Sequence, residues 1–212
     1  MKDIEVKFHW KFAGPLHVGV GLSAAGYADR LVRLLNGMPQ IPGEAVKGAI
    51  RGSAERIARW LEGIEGAEAE DNSAPRNRVL QRLFASGEKA AFYRFQAARF
   101  AAGGAKATVS ATAIGDNGVA LDETLRTVEV WSRGADFEVV IRGYSGCWDD
   151  EQADDWRDLL FLKAAILATE GLGGKKGIGY GQLTCCGLDG CETLKRTETV
   201  RMLREHLQRN RM

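Results

Sequence analysis

The sequence predicts an α+β sandwich, and three observations carry that reading. Residues 3–12 alternate strictly, with Ile4, Val6, Phe8, Trp10 and Phe12 on one side and mostly charged residues on the other. That is the signature of a half-buried strand. Residues 44–62 place Val46, Ile50, Ala54, Ile57 and Leu61 at helical spacing, so one apolar stripe needs a layer to cover. Further on, VEVW and ADFEVVIRGYS alternate again before a second helical pattern over residues 150–170.

In chain order, the first strand ends near Gly14-Pro15 and resumes at Leu16-His17-Val18. A Gly-rich stretch, GVGLSAAG, then leads to Asp29 and a short strand over 31–35 closed by Asn36-Gly37. Pro42 and Gly43 stop the chain ahead of the first helix. Residues 63–78 are polar and read as a surface loop or insertion, followed by a weaker helical piece at Val79–Phe84. Residues 91–114 mix Phe92, Tyr93, Phe95 and Phe100 with small residues and an alternating Val109/Ala111 pair. GDNG at 115–118 is a hairpin turn, because Asn and Gly accept positive φ. The 150–170 helix is expected to bury Trp156, Leu159, Leu160, Lys163, Ala164 and Leu167. Then come GLGGKKGIGYG, a strand QLTCCGL and a charged helix from Thr197. The order β-β-α, insertion, β-α-β, helical tail fits a ferredoxin-like sandwich carrying a hairpin insertion.

Composition narrows the classes. The 212 residues suit one large domain with an insertion, and 45% apolar content supports a real core. No apolar run is long enough to span a bilayer, and MKDIEVKFHWKF is not a signal peptide, so a cytoplasmic protein is expected. Cys147, Cys185, Cys186 and Cys191 lack the paired spacing of a zinc site and read as reduced thiols. The net charge of +1 argues against a nucleic-acid binder held by bulk charge. Its distribution is uneven: Arg30, Arg33, Lys47, Arg51, Arg56 and Arg59 cluster, whereas WDDEQADDWRD is acidic.

Two local patterns bear on chemistry. Lys47 and Arg51 share one face near the start of a helix, where the dipole disfavours cations; their placement points to an anion such as a phosphate. Lys175 and Lys176 stand in a glycine loop that lets a backbone or phosphate come close. GIGYG is no dinucleotide fingerprint, because here the glycines follow a helix and precede a strand. Asp29 is the only acidic residue between Glu5 and Glu44. On context alone it reads as a partner of Arg30 or Arg33, or as a turn cap.

Taken together, LHVGVG, Asp29, MPQIPGEAVKGAIR, GDNGVALDETLRTVEVWSRGADFEV and GLGGKKGIGYG resemble the RAMP-superfamily subunits of type III CRISPR effector complexes. The Asp29 position and the LDETLRTVEVWSRGADFEV segment resemble in particular the backbone subunit that polymerises along guide RNA. The resemblance implies a modified RNA-recognition-like, ferredoxin-like core with a lid insertion and a β-hairpin thumb. It implies one domain over 1–212: core 1–62 and 130–193, lid and thumb 63–129, C-terminal helix 194–212. Guide-RNA phosphates would meet Lys47, Arg51, Gly174, Lys175, Lys176 and Gly177. Residues 105–130 would form the thumb that interrupts the guide–target duplex.

Asp29 matches the family's loop aspartate for target-RNA cleavage, and His17 a position linked to RNA binding. The implied activity is a metal-dependent endoribonuclease working inside the assembled complex, with Mg²⁺ or another divalent cation loosely held. The implied partners are guide RNA, complementary target RNA, copies of itself in a filament and other effector subunits, with no membrane. Two departures stand out: residues 63–110 lack the Cys/His zinc ligands of some members, and Glu44 and Ala45 replace small polar residues after IPG. Two alternatives stay open. One is a non-catalytic structural RAMP subunit. The other is a guide-processing endoribonuclease, which needs a His/Tyr/Lys set for which His17 and Tyr27 are the candidates.

Overall fold

A computed structural model describes residues 3–62, 77–85, 93–144, 155–174, 176–190, 194 and 197–210. Strand β1 (Asp3–Phe12) buries Val6, Phe8, Trp10 and Phe12 on one face while Glu5, Lys7 and Lys11 stay exposed on the other. The chain then runs through β2 (Leu34–Leu35) and β3 (Met38–Pro39), joined at Asn36 and Gly37, both at positive φ. Helix α1 (Gly43–Glu62) and helix α2 (Arg78–Phe84) follow. After them come β4 (Arg94–Phe95), β5 (Arg99–Ala102), β6 (Lys106–Ala111), β7 (Arg126–Trp131) and β8 (Asp136–Tyr144). Helix α3 (Asp155–Leu167), β9 (Leu183–Cys186) and helix α4 (Thr197–Arg209) complete the order.

The main sheet runs β4-β8-β1-β9, with β5 also alongside β8. Each neighbouring pair is antiparallel, with Lys7 opposite Val140 and Trp10 opposite Cys185. Two strand–helix–strand crossovers, one through α1 and one through α3, produce that order. This is the expected ferredoxin-like arrangement. Residues 94–102 fall within the stretch expected to be an insertion, 63–129, yet β4 and β5 form the sheet's outer edge. Their pattern is poor because edge strands this short, ending at Gly103-Gly104, keep most side chains exposed.

The apolar face of the sheet meets α1 through Val46, Ile50, Ala54 and Leu61, buried as the spacing predicts; Ala58 is buried with them, and the expected Ile57 is only partly buried. Helix α3 departs from the expected stripe. Trp156 is 57% exposed, and the buried set is Leu160, Phe161, Leu162, Ala165 and Ile166. An arc that wide arises because α3 touches α1 and β9 as well as α2 and α4. A single-stripe reading assumes one covering layer and rotates the helix wrongly.

The three outer helices are locked by buried charge. Arg82 of α2 donates from Nε to Asp158 Oδ2 at 2.5 Å and from Nη2 to Oδ1 at 2.9 Å. His206 of α4 lies 2.7 Å from Asp158 Oδ1, its Nε2–H donating to the carboxylate. Arg82 Nη1 also donates to Asn210 Oδ1 at 3.0 Å. Burial, with the charges of Asp158 and Asp155, pushes the nearby Tyr93 phenol above its ordinary range.

Strands β6 and β7 stand apart as a two-stranded hairpin, with Lys106 opposite Trp131 and Val109 opposite Val128. Beyond them Ile114 pairs with Ala120, and Gly115–Gly118 makes the expected turn, Gly118 at φ +75°. Val128 and Val130, with Ala107 and Val109, pack one hairpin face on Tyr180.

Removing one partner of a buried ion pair leaves the other charged and unsolvated, at a cost of about 3–5 kcal/mol. Asp158→Ala is therefore expected to lower unfolding stability by about that much, read by chemical denaturation. Exposed pairs such as Arg201–Glu205 are expected to change it by ~0.5 kcal/mol or less. An Asp158→Ala loss under ~1 kcal/mol would show that the cluster carries no structural weight.

Candidate nucleic-acid interface

The chain leaving β1 threads between two elements. Leu16 exchanges backbone hydrogen bonds with Trp131 of β7, both at 2.8 Å, while the Gly181 amide donates to Pro15 O at 2.7 Å. Contact on the second side is close: a Cβ at Gly14 would lie 2.1 Å from Gly179 O, and one at Gly181 1.7 Å from Leu172 O. Those glycines are demanded by backbone approach.

His17 is buried at this junction, and its Nδ1 lies 2.7 Å from Glu129 O. A carbonyl only accepts, so Nδ1 carries the proton. The His17 carbonyl in turn accepts from the Gly174 amide at 3.4 Å. His17 thus joins the glycine loop to the hairpin.

Asp29 lies on β7 as well, in a short parallel pairing between Arg30 and Val128. Its amide donates to Thr127 O at 2.8 Å, and the Glu129 amide donates to Arg30 O at 2.8 Å. Between these bonds the Asp29 carboxylate takes the place of a main-chain carbonyl: the Thr127 amide donates to Oδ2 at 2.6 Å. Neither Arg30 nor Arg33 pairs with it among the described residues. Asp29 stays exposed, and Oδ1 makes no hydrogen bond with the described residues.

The residue that the sequence left unremarked is Glu129, only 3% exposed. Oε1 accepts from Tyr27 Oη at 3.1 Å and from Lys106 Nζ at 2.9 Å, and Oε2 accepts from the Val32 amide at 2.9 Å. Lys106 also sits 5.6 Å from the centre of the Tyr27 ring. Burial pushes the Glu129 carboxyl up, but Lys106, the Val32 amide and Tyr27 outweigh it and hold the group below its ordinary value. The stability it contributes is present above the ordinary carboxylate range and is lost as pH falls through that lowered value. His17 and Tyr27, the candidates for a guide-processing set, both bond to Glu129, as does Lys106, with Tyr27 and Lys106 staying half exposed.

The glycines of the loop are under different constraints. Gly173 and Gly181 are fixed by packing and positive φ. Gly174 and Gly177 are exposed, lack positive φ, and have open space where a Cβ would stand. Lys176 is exposed beside them, in a short 3-10 turn over Lys176–Ile178. Lys175 lies outside the described residues.

Lys47 and Arg51 occupy the first half of α1, four residues apart. Arg51 Nε donates to Glu55 Oε1 at 2.7 Å, whereas Lys47 has no ionic partner among the described residues. Helix α1 meets the start of the glycine loop through Ser53 and Thr169, 3.2 Å apart, and through Arg56 and Ala168 O, not through Lys47 or Arg51. The structure thus brings His17, Asp29 and Gly174 together on β7 and the neighbouring loop, and leaves the two α1 cations on a separate element.

Among the described residues, no three His, Cys, Asp or Glu side chains gather as a metal cluster. No helix among the described residues is long and apolar enough to cross a membrane.

No curated protein matches this sequence. Among solved structures, a chain of "Type III-B Cmr-beta Cryo-EM structure of the Apo state" is similar in fold. It is 13% identical, with a TM-score of 0.60 over 88% of this chain and 98% of that one. The RAMP superfamily model matches residues 11–184, a span that holds His17, Asp29, Glu129 and the whole glycine loop. By that match the chain belongs to the RAMP superfamily.

Proposed function

We propose that this chain is a guide-RNA-binding backbone subunit of a type III CRISPR effector complex, and that it cuts complementary target RNA through Asp29. The observation that carries the reading is an exposed carboxylate, pinned by one oxygen to the base of a projecting hairpin in a RAMP chain. The similar fold of a type III-B Cmr-β chain supports placing it in an effector complex.

Cleavage of RNA by its own 2′-hydroxyl needs three things: a proton acceptor, an in-line phosphate and relief of the developing charge. The 2′-oxygen bonds to phosphorus, the 5′-oxygen leaves, and water returns a proton to it. The Thr127 amide orients the Asp29 carboxylate, and Oδ1 is the atom available to take the 2′-hydroxyl proton. A single carboxylate fits a Mg²⁺ ion that keeps its waters and shares RNA phosphates, not one caged by protein. Asp29 has one free oxygen, so it either takes the proton or holds such an ion; where it holds the ion, water takes the proton and the ion would supply neutralisation of charge at the phosphate. The hairpin supplies the other requirement, a distorted target strand.

Guide contact is assigned to the open glycines Gly174 and Gly177 with Lys175, Lys176, Lys47 and Arg51. Missing Cβ atoms leave room for a phosphate backbone, and cations nearby give sequence-independent attraction. His17 acts here as a strut between loop and hairpin. Ile114, Val119, Leu121 and Leu125, all exposed toward the hairpin's end, offer apolar area to the next copy in a filament on the same guide.

Charge reversal at Lys47 is expected to weaken guide binding and reduce its salt slope by about one. Arg51 reversal is expected to act less, since Glu55 already holds that guanidinium. Fluorescence titration at several salt concentrations reads both; an unchanged slope for Lys47 would leave it a solvated surface residue.

Asp29→Asn keeps an acceptor for the Thr127 amide while removing the charge. It is expected to slow target cleavage by ~10²-fold or more, with guide loading and target affinity unchanged. Full cleavage by that variant removes Asp29 from the mechanism. No cleavage by the unmodified complex with Mg²⁺ present selects the structural-subunit reading.

A further inference from the structure

We propose that Glu129 is a positioning residue that makes the Asp29 loop and the β6–β7 hairpin one mechanical unit. The inference rests on the proposed role of Asp29 for its consequence in cleavage, but not for the mechanical coupling itself.

The hairpin has its own two-stranded pairing and no ladder with the main sheet. Its attitude is therefore set by what it touches at its base. On one face Val128 and Val130 rest on Tyr180. On the other, alternate residues of β7 reach the loop: Thr127 holds Asp29, and Glu129 holds Tyr27, Val32 and, by its carbonyl, His17.

Glu129 binds both sides at once. Oε2 ties Val32 of the loop, Oε1 ties Tyr27 of the loop and Lys106 of the partner strand β6. Asp29 lies between Tyr27 and Val32, so the carboxylate is bracketed by the two loop residues that Glu129 grips. A hairpin displaced by an RNA strand must carry Asp29 with it. Without the grip, residues 27–32 keep on β7 only the short pairing at Thr127 and Arg30, and a misplacement of about 1 Å at a reacting group costs ~10²-fold in rate.

The coupling is read first without any chemistry. In the purified chain, Glu129→Ala is expected to raise hydrogen–deuterium exchange in a peptide covering residues 24–33, with β1 and α1 unchanged. Lys106→Met and Tyr27→Phe each remove one of the contacts to the Glu129 carboxylate at half-exposed residues and are expected to give smaller rises in the same peptide. They also keep the test informative if Glu129→Ala does not fold.

In the assembled complex, Glu129→Ala is expected to lower the cleavage rate at saturating target by ~10- to 10²-fold without changing target affinity. Glu129→Gln keeps an acceptor for Val32 and should fall between Ala and the natural residue. In an Asp29→Asn background, Glu129→Ala should cost nothing further, because both act through one carboxylate. Unchanged exchange in the 24–33 peptide for all three variants overturns the coupling. A full additional loss in the Asp29→Asn background overturns the positioning role. An unmodified complex that does not cleave rejects the reading of Asp29, while the exchange measurement still decides the coupling.

Discussion

The segment from Ala13 to His17 is the constraint on which the rest depends. It leaves the central strand of the sheet and is hydrogen-bonded on both sides: to Gln182 and Gly181 on one, to Trp131 on the other. Backbone lies against backbone there, so side chains are excluded from the contact and glycine is imposed at Gly14 and Gly181. One short stretch therefore fixes the distance between the core, the hairpin and the glycine loop. The candidate interface is built where these three meet, and its geometry follows from how tightly they are pressed together.

The elements that face a single covering layer were legible in the sequence. β1 alternates because one face meets helices and the other meets water; α1 carries one stripe because the sheet and its companions lie to one side. Helix α3, packed by several elements, buries five of seven consecutive residues between Leu160 and Ile166, and no single period describes it. β4 and β5 were hidden for the opposite reason: edge strands bury little. Asp158 read only as part of the acidic stretch WDDEQADDWRD, and nothing in the sequence joins it to His206, since only the fold brings Arg82 to them across three helices.

For the site, legibility divides along similar lines. Asp29 stood out by isolation and His17 by its neighbours in LHVGVG, and both meet β7. Glu129 carried one weak signal, an acid inside the apolar run VEVW. The hairpin turn at 115–118 sets the register that brings Lys106 within reach of it, but the Tyr27 and Val32 contacts depend on how the 19–33 loop folds back. Such contacts are non-local and leave no period. The density of glycines after α3 was visible, yet it mixes two causes. Gly173 and Gly181 answer to packing and Gly179 to its positive φ, whereas Gly174 and Gly177 have neither constraint.

The sheet's outer face explains why the interface belongs at this junction. RNA-recognition-like sheets read single strands by stacking bases on exposed aromatic rings. Here Phe8, Trp10, Phe12 and Phe137 all turn toward the helices, where Phe8 meets Trp10 and Phe12 meets Phe137 edge to face. The outer face carries instead Glu5 paired with Lys7 and Arg142, and His9 with Asp136. Hydrogen bonds from Lys7 and Arg142 hold the Glu5 carboxyl below its ordinary value, so those two cations are already engaged on that face, where Lys11 is also exposed. A chain with net charge of only +1 must place its unmatched cations where they count. Lys47 and Lys176 lie off that face, one on α1 and one beside the open glycines. The fold has kept the sheet of an RNA-recognition-like module and moved the proposed RNA contact to its edge, where a hairpin and a carboxylate can act on the strand.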